Sequence, residues 1–408
     1  MLENSIEKGF FKYLIWFVAT LFVVYAFCLN TASSVFSEVI KSSLHASNLG
    51  VSLASGSFIL GYACMQIPAG FLLDTFNARF VVSGGVLLLA AGNIAISYSN
   101  NLILFALSNF LQGLGASISF IAAAVLISQW FSNTMFPILL GLTQTISCVC
   151  AGIIHYSFTS ALQTYTWNDI YRILALFGSI LLILSLLIVK SPGGHTGQNN
   201  SSLVKSLRLV FKNKQIILCS VGAALSLGVL LAYAGLWYMP VQSFYSVKTL
   251  DAAGISGMMF AGLGIGTPLF GWFSNRTQSR TMVLHVSLTL GTMALLLNLY
   301  LPHFDIDTLI FTKITAFLTG FFLSGSMLFY TIVSEISSNG TRGVAISVLN
   351  SAVYLFNTFM LFIPYVFITV SSGQFFTYLW ILPFFILFSI LLLYFIKNSY
   401  PATTTQGN

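Results

Sequence analysis

Long apolar runs separated by short polar breaks repeat along the whole chain. Each run is long enough to cross a bilayer as a helix, which takes about 20 apolar residues. Helices are predicted because a single segment in lipid must satisfy its own backbone hydrogen bonds. The twelve predicted spans cover residues 13–35, 49–73, 80–99, 102–130, 137–160, 171–190, 216–240, 252–273, 281–301, 308–334, 343–370 and 376–396.

One long hydrophilic stretch, residues 191–215, lies near the middle of the chain. Its first part contains Pro192, several glycines and the pair Asn199–Asn200, which indicate a loop. Its basic part, Lys205 to Lys214, is predicted to form a short helix on the membrane surface. The stretch divides the chain into two six-helix bundles, 1–190 and 216–408, which is the layout of a parallel repeat.

The composition is that of an integral membrane protein. Residues of the set AVILMFWYC make up 57% of the chain, only 6% is charged, and the mean hydropathy is +0.91. A soluble chain carries about 25% charged residues. These values exclude a soluble domain, a disordered chain, a disulfide-stapled secreted domain and a nucleic-acid binder.

Membrane topology explains the net charge of +7. If the N-terminus is cytoplasmic, twelve of the sixteen basic residues fall in cytoplasmic segments, and the central stretch is a cytoplasmic loop. Only Lys41, Arg172, Lys248 and Lys313 fall on the other side. The positive-inside rule therefore predicts a multi-pass membrane protein with both termini in the cytoplasm.

The five cysteines all lie inside apolar runs, without CxxC spacing and without a matching set of histidines. They are interpreted as small packing residues. No metal site and no cofactor is predicted.

An internal repeat links the loop after the second span with the loop after the eighth. The two loops align at an offset of 201. The first reads Gly70-Phe-Leu-Leu-Asp74-Thr-Phe-Asn-Ala-Arg79, and the second reads Gly271-Trp-Phe-Ser-Asn275-Arg276-Thr-Gln-Ser-Arg280. A proline precedes both glycines, at Pro68 and Pro268. A weaker echo at an offset of 206 links Ser132-Asn133 with Ser338-Asn339.

On these motifs the chain resembles the major facilitator superfamily (MFS), whose signature between helices 2 and 3 is G-x-x-x-D-x4-R/K. The resemblance implies an all-α fold of two pseudo-symmetric six-helix bundles that move a solute by rocker-switch alternating access. It also implies a gating role for the two loop motifs, because glycine lets helices approach closely and an acidic group gains from a nearby helix N-terminus. The gating residues would be Gly70, Asp74, Arg79, Gly271, Asn275, Arg276 and Arg280.

Two departures from family patterns bear on proton coupling and on the direction of transport. The helix 4 signature, R-x-x-Q-G-x-G, reads Asn109-Phe-Leu-Gln112-Gly113-Leu-Gly115, so the arginine associated with proton relay is replaced by Asn109. The Gly-Pro that helix 5 of drug/proton antiporters carries is missing from the run Gly141–Gly152. A multidrug exporter is therefore disfavoured.

Ionisable residues inside a membrane span are functional candidates because burying charge there is expensive. No Asp or Glu falls in the middle of a predicted span. The titratable candidates are His155, whose imidazole suits proton binding, the more peripheral His285, and Lys313, which holds an anion or snorkels to the outer surface. An interhelical hydrogen bond is the alternative interpretation of His155.

Neutral polar and aromatic residues offer more candidates for a solute site. Asn350, Tyr354 and Asn357 share one helical face, and Trp237 lies between Gly235 and Pro240 in a segment similar to the outer gate of family members. Interhelical bonds and an interfacial aromatic belt are the alternative interpretations. The substrate-binding candidates are Tyr25, Asn30, Asn109, Gln112, Gln144, His155, Tyr233, Trp237, Lys313, Tyr330, Asn350, Tyr354 and Asn357.

The sequence thus predicts a monomeric secondary transporter for a small polar solute that is neutral or zwitterionic. Within the superfamily the chain resembles nutrient importers of the bacterial inner membrane, and this resemblance implies an amino acid or small peptide as the favoured cargo. Transport would occur by facilitation or by weak coupling to protons. The first rival is an MFS exporter of a siderophore or drug-like compound. An intramembrane enzyme is disfavoured by the lack of paired catalytic or metal-binding residues, and a channel by the two-half layout and the lack of a filter-like ring.

Overall fold

The fold was taken from a computed structural model of the chain. The structure describes residues 2–192, 202–238, 241–242, 245, 247–300, 309–338, 340–370 and 378–400. Within these ranges, the side chains of residues 2–8, 33–34, 151–152, 155–156, 236, 249–250 and 361–370 lie outside the description.

The described ranges are mainly helical and contain no strand. Short polar residues begin several helices, as Asn77 and Asn101 do by accepting a backbone N–H in the first turn of the following helix. The α-helices are α1 Leu2–Val35, α2 Ser37–Ser43, α3 Asn48–Thr75, α4 Ala78–Ser97, α5 Leu102–Trp130, α6 Phe136–Ala161, α7 Trp167–Ile188, α8 Leu203–Lys212, α9 Lys214–Ala232, α10 Thr249–Arg276, α11 Arg280–Tyr300, α12 Leu309–Leu323, α13 Leu328–Ile336, α14 Arg342–Val370 and α15 Ile381–Leu393.

The helices depart from the predicted spans at three places. Helix α1 begins at Leu2, about three turns before the apolar run at residue 13. A π-helix, Tyr233–Trp237, follows α9, and a 3₁₀ stretch, Ser324–Met327, separates α12 from α13 within the predicted span 308–334. Hydropathy reports burial in lipid and carries no signal for such local changes in helical pitch.

Ten of the described helical segments are long and apolar enough to cross a membrane. Two shorter apolar helices, Phe136–Cys150 and Ile381–Leu393, lie where the fifth and twelfth spans are predicted.

The chain divides into two compact units by its internal contacts. Unit 1 consists of residues 1–131, 146–208 and 338–347. Unit 2 consists of residues 132–145, 209–337 and 348–408. The first turns of α14 therefore pack within unit 1, and the first turns of α6 pack within unit 2.

Candidate functional site

The carboxylate of Asp74 in unit 1 caps the N-terminus of α14. Its Oδ1 accepts the N–H of Gly343 at 2.8 Å, and its Oδ2 accepts the N–H of Val344 at 2.9 Å. The first N–H groups of a helix have no partner within the helix and carry the positive end of its dipole. Asp74 therefore satisfies two such groups with a negative charge, as the sequence motif predicts.

Gly70 makes this approach possible. A Cβ at Gly70 would overlap the carbonyl oxygen of Gly343, and a Cβ at Gly343 would lie 2.9 Å from Asp74 Oδ1. The two backbones are too close for a side chain on either residue.

Arg79 lies outside this contact. Its Nε donates to the carbonyl of Val189 at 3.1 Å, beyond the end of α7. The guanidinium of Arg342 donates from Nη1 to the carbonyl of Ser128 at 3.4 Å. The structure thus places Asp74 and Arg79 of one motif in separate contacts.

The second motif, in unit 2, is built around a buried ion pair. Arg280 Nη2 lies 2.8 Å from Glu335 Oε1, and the two side chains are 0% and 4% exposed. Arg280 Nη1 donates to Ser274 Oγ at 2.6 Å and to Asn275 Oδ1 at 2.7 Å. Glu335 lies in the last turn of α13 and belongs to no sequence motif, so the sequence did not predict this ion pair.

Asn275 occupies the place of Asp74 but makes a different contact. The helix start that faces Gly271 carries Pro137, whose carbonyl oxygen would lie 2.9 Å from a Cβ at Gly271. Proline has no N–H to donate, and Asn275 Nδ2 instead donates to the carbonyl of Thr134 at 2.6 Å. The first motif is therefore a charged cap, whereas the second is neutral at this position. Arg276 is exposed.

The C-terminal residues cover the Arg280–Glu335 pair. Ser399 Oγ donates to Glu335 Oε2 at 2.5 Å, and Asn398 Oδ1 accepts the N–H of Arg280 at 2.8 Å. The ring of Tyr400 lies 4.9 Å from the guanidinium carbon of Arg280. We call residues 398–400 the C-terminal strap.

Three of the predicted solute-binding residues belong to buried hydrogen-bond clusters that the sequence did not predict. In unit 1, Asn93 links Tyr25 to Gln112 at 2.6 and 2.7 Å. In unit 2, Asn298 links Tyr233 to Thr315 at 2.5 and 2.9 Å.

The two clusters occupy corresponding helices of the repeat. Asn93 and Asn298 each interrupt an apolar run, with an offset of 205 that lies between the offsets of 201 and 206 found for the loop motifs. That spacing is the signal that sequence reasoning missed.

The other candidates have varied surroundings. In unit 2, Tyr330 OH donates to Asn350 Oδ1 at 2.6 Å, Trp237 Nε1 donates to the carbonyl of Met360 at 2.7 Å, and Lys313 pairs with Asp251 at 3.5 Å. Asn109 is buried and donates to the carbonyl of Phe105 in its own helix. Asn30 is exposed, whereas Gln144, Tyr354 and Asn357 are half-buried. The side chain of His155 lies outside the described residues.

The part of the chain that the structure describes holds no group of three or more His, Cys, Asp or Glu residues arranged to bind a metal ion. The Tyr25–Asn93–Gln112 and Tyr233–Asn298–Thr315 clusters consist of neutral side chains. Tyr, Asn, Gln and Thr side chains exchange hydrogen bonds without carrying charge.

A sequence model of the Major Facilitator Superfamily matches residues 18–310. The multidrug resistance protein MdtL of Escherichia coli K12 is 24% identical over 151 residues, and the same protein of Shigella boydii is equally similar. Each match covers 37% of this chain and 39% of the relative. The chain therefore matches less than half the length of these relatives.

Solved MFS transporters share the fold over nearly the whole chain. The proton:xylose symporter XylE, bound to 6-bromo-6-deoxy-D-glucose, has a TM-score of 0.70 at 14% identity and covers 96% of this chain and 97% of its own. FucP in the outward conformation has a TM-score of 0.69 at 15% identity and covers 93% of this chain and 99% of its own. The prediction of an all-helical MFS fold is confirmed.

Proposed function

Because the chain belongs to the major facilitator superfamily and is a transporter rather than an enzyme, we propose that it carries a small polar solute that is neutral or zwitterionic. An amino acid or small peptide is the favoured cargo. The observation that carries this proposal is the neutral chemistry of the buried Tyr25–Asn93–Gln112 cluster. A charged cargo would need a buried counter-charge, since an unpaired ion in low dielectric is costly.

The transport cycle is alternating access, and the Asp74 and Arg280 contacts act as its gates. Asp74 holds the start of α14, a helix of the second half by sequence, against α3 of the first half. Movement of the predicted bundles 1–190 and 216–408 against each other must break this contact. Coupling is absent or weak, with His155 as the candidate proton carrier.

We place the protein in the bacterial inner membrane as a monomer, with both termini in the cytoplasm. The asymmetric distribution of basic residues supports this orientation.

The proposal is tested by uptake into proteoliposomes of glycine, L-alanine, L-alanyl-L-alanine, D-xylose and L-fucose. A thermal-shift screen with the same solutes selects ligands first, because binding to the folded state raises the apparent melting temperature. Saturable uptake of glycine, L-alanine or the dipeptide is expected. Uptake of the sugars alone would contradict the amino-acid assignment. It would still agree with the broader proposal of a neutral polar cargo.

The second candidate function is export of a siderophore or drug-like compound. The similarity to MdtL, a multidrug resistance protein, favours it, while the missing Gly-Pro in Gly141–Gly152 counts against it. An imposed proton gradient distinguishes the two. Net efflux of ethidium driven by that gradient, without uptake of any polar solute, would contradict import.

A further inference from the structure

A backbone carbonyl fixes the direction of every hydrogen bond in the unit 1 cluster. The hydroxyl of Tyr25 lies 2.8 Å from the carbonyl oxygen of Leu174, which can only accept. The phenol therefore donates its single O–H there and accepts from Asn93 Nδ2 at 2.6 Å. Asn93 thus presents its Oδ1 to Gln112, which must donate from Nε2 at 2.7 Å.

This order leaves one acceptor unused. Gln112 Oε1 is buried and has no hydrogen-bond partner among the described residues. The whole Gln112 side chain is 0% exposed. Turning the amide would place Gln112 Oε1 against Asn93 Oδ1, so the orphaned oxygen is a consequence of the Leu174 carbonyl.

Two glycines keep the space that this arrangement needs. A Cβ at Gly178 would overlap the hydroxyl of Tyr25, and a Cβ at Gly92 would overlap Gln112 Cγ. The Tyr25 and Gln112 side chains therefore pack directly against the backbone of α7 and α4, respectively.

The corresponding cluster in unit 2 is closed and runs in the opposite direction. Asn298 Nδ2 donates to the carbonyl of Thr312 and to Thr315 Oγ1, both at 2.9 Å. Its Oδ1 therefore accepts from the Tyr233 hydroxyl at 2.5 Å. Among the described residues, none of the three side chains in this cluster has an unpartnered buried polar atom.

We propose that Gln112 Oε1 accepts a hydrogen bond from an N–H or O–H of the cargo, and that Asn93 is the positioning residue that holds this oxygen free. The inference rests on the proposed function and deepens it: the cargo carries a donor, as an amino acid or sugar does. A buried acceptor without a donor is unfavourable, so a cargo that supplies the donor gains a favourable contact at Gln112 Oε1. An internal water is the other possible donor.

The test compares Gln112→Met with Thr315→Val in proteoliposomes, using glycine, L-alanine, L-alanyl-L-alanine, D-xylose and L-fucose as probes. Both variants remove the third member of a cluster, and only Gln112→Met removes an unused acceptor. For each solute that the wild type transports, we expect Gln112→Met to raise KM about tenfold and to change Vmax by less than roughly twofold. Thr315→Val should lower the melting temperature and leave KM unchanged.

Asn93→Ala and Asn298→Ala distinguish a role of Asn93 in positioning Gln112 from a role in stability alone. Both should lower the melting temperature, and only Asn93→Ala should raise KM. Equal KM values for wild type and Gln112→Met would assign the donor to water and overturn the inference, while the proposed function would stand. If the wild type transports none of the five solutes, both the inference and the proposed function fail.

Discussion

The Asp74 carboxylate accepts the backbone N–H of Gly343 at 2.8 Å, although 268 residues separate the two along the chain. The bond joins a loop motif of the first repeat to the first turn of a helix from the second repeat. It is formed by a side chain and a helix terminus, so it needs only one charged residue.

Removing the charge of Asp74 should weaken this contact without removing its geometry. Asp74→Asn keeps one acceptor oxygen and loses the interaction with the helix dipole, which is about 1 kcal/mol, or roughly fivefold in an equilibrium constant. We expect slower uptake in proteoliposomes with ligand binding retained in the thermal-shift assay.

The matched control is Asn275→Asp, at the corresponding position of the second motif. A carboxylate there loses the Nδ2 donor to the carbonyl of Thr134 and faces Pro137, which has no N–H. It should therefore gain no helix cap. If Asp74→Asn transports at the wild-type rate, Asp74 has no gating role.

Double variants should show that the two loop motifs differ in whether their residues interact. Asp74 and Arg79 hydrogen-bond to different partners, so the shifts in apparent melting temperature of Asp74→Asn and Arg79→Ala should add. Arg280 and Glu335 form a buried pair, and removing either partner costs about 3–5 kcal/mol. Arg280→Ala and Glu335→Gln should therefore be strongly non-additive. Additivity in this second pair would argue against the ion pair.

Gly70→Ala should slow transport because the new methyl group overlaps a backbone carbonyl and no side-chain rotation relieves it. Overpacking of this kind typically costs about 1–3 kcal/mol. Gly84→Ala on α4 is the control, since a Cβ there meets nothing within 4 Å. Initial uptake rates measure the difference, and equal rates in the two variants would contradict the close approach of Gly70 and Gly343.

The C-terminal strap should stabilise the Arg280–Glu335 pair. Ser399→Ala removes a donor to Glu335, and Tyr400→Leu removes the ring that faces Arg280. Each should lower the apparent melting temperature by a few degrees, about 1 kcal/mol. Lys397→Ala, whose side chain is exposed, is the control. A drop of the same size in Lys397→Ala would show that the strap contacts are not responsible.

His155 is the predicted proton carrier. If it carries the proton, His155→Ala should abolish the pH dependence of uptake between about pH 5 and 8, the range in which an ordinary histidine titrates. His285→Ala should retain that dependence, since this histidine packs against the tilted ring of Tyr394, with 4.9 Å between the ring centroids. A full pH response in His155→Ala would exclude this role.

The sequence by itself determined the membrane class, the number of apolar runs and the repeat. These features follow from composition and from short motifs, because lipid demands apolar helices wherever the chain crosses it. The motif Gly70–Asp74–Arg79 also predicted that an acidic group would face a helix N-terminus. Sequence alone did not say which helix that would be, because the partner N–H groups carry no residue signature.

Only the tertiary structure decided which polar side chains form hydrogen bonds with each other within each unit. Tyr25, Gln112 and Tyr233 are predicted as solute contacts, yet Asn93 and Asn298 tie them to neighbouring helices. The carbonyls of Leu174 and Thr312 set opposite directions for two clusters of similar composition. The direction of a hydrogen-bond chain depends on which acceptor lies at its end, and three-dimensional packing alone brings that acceptor there.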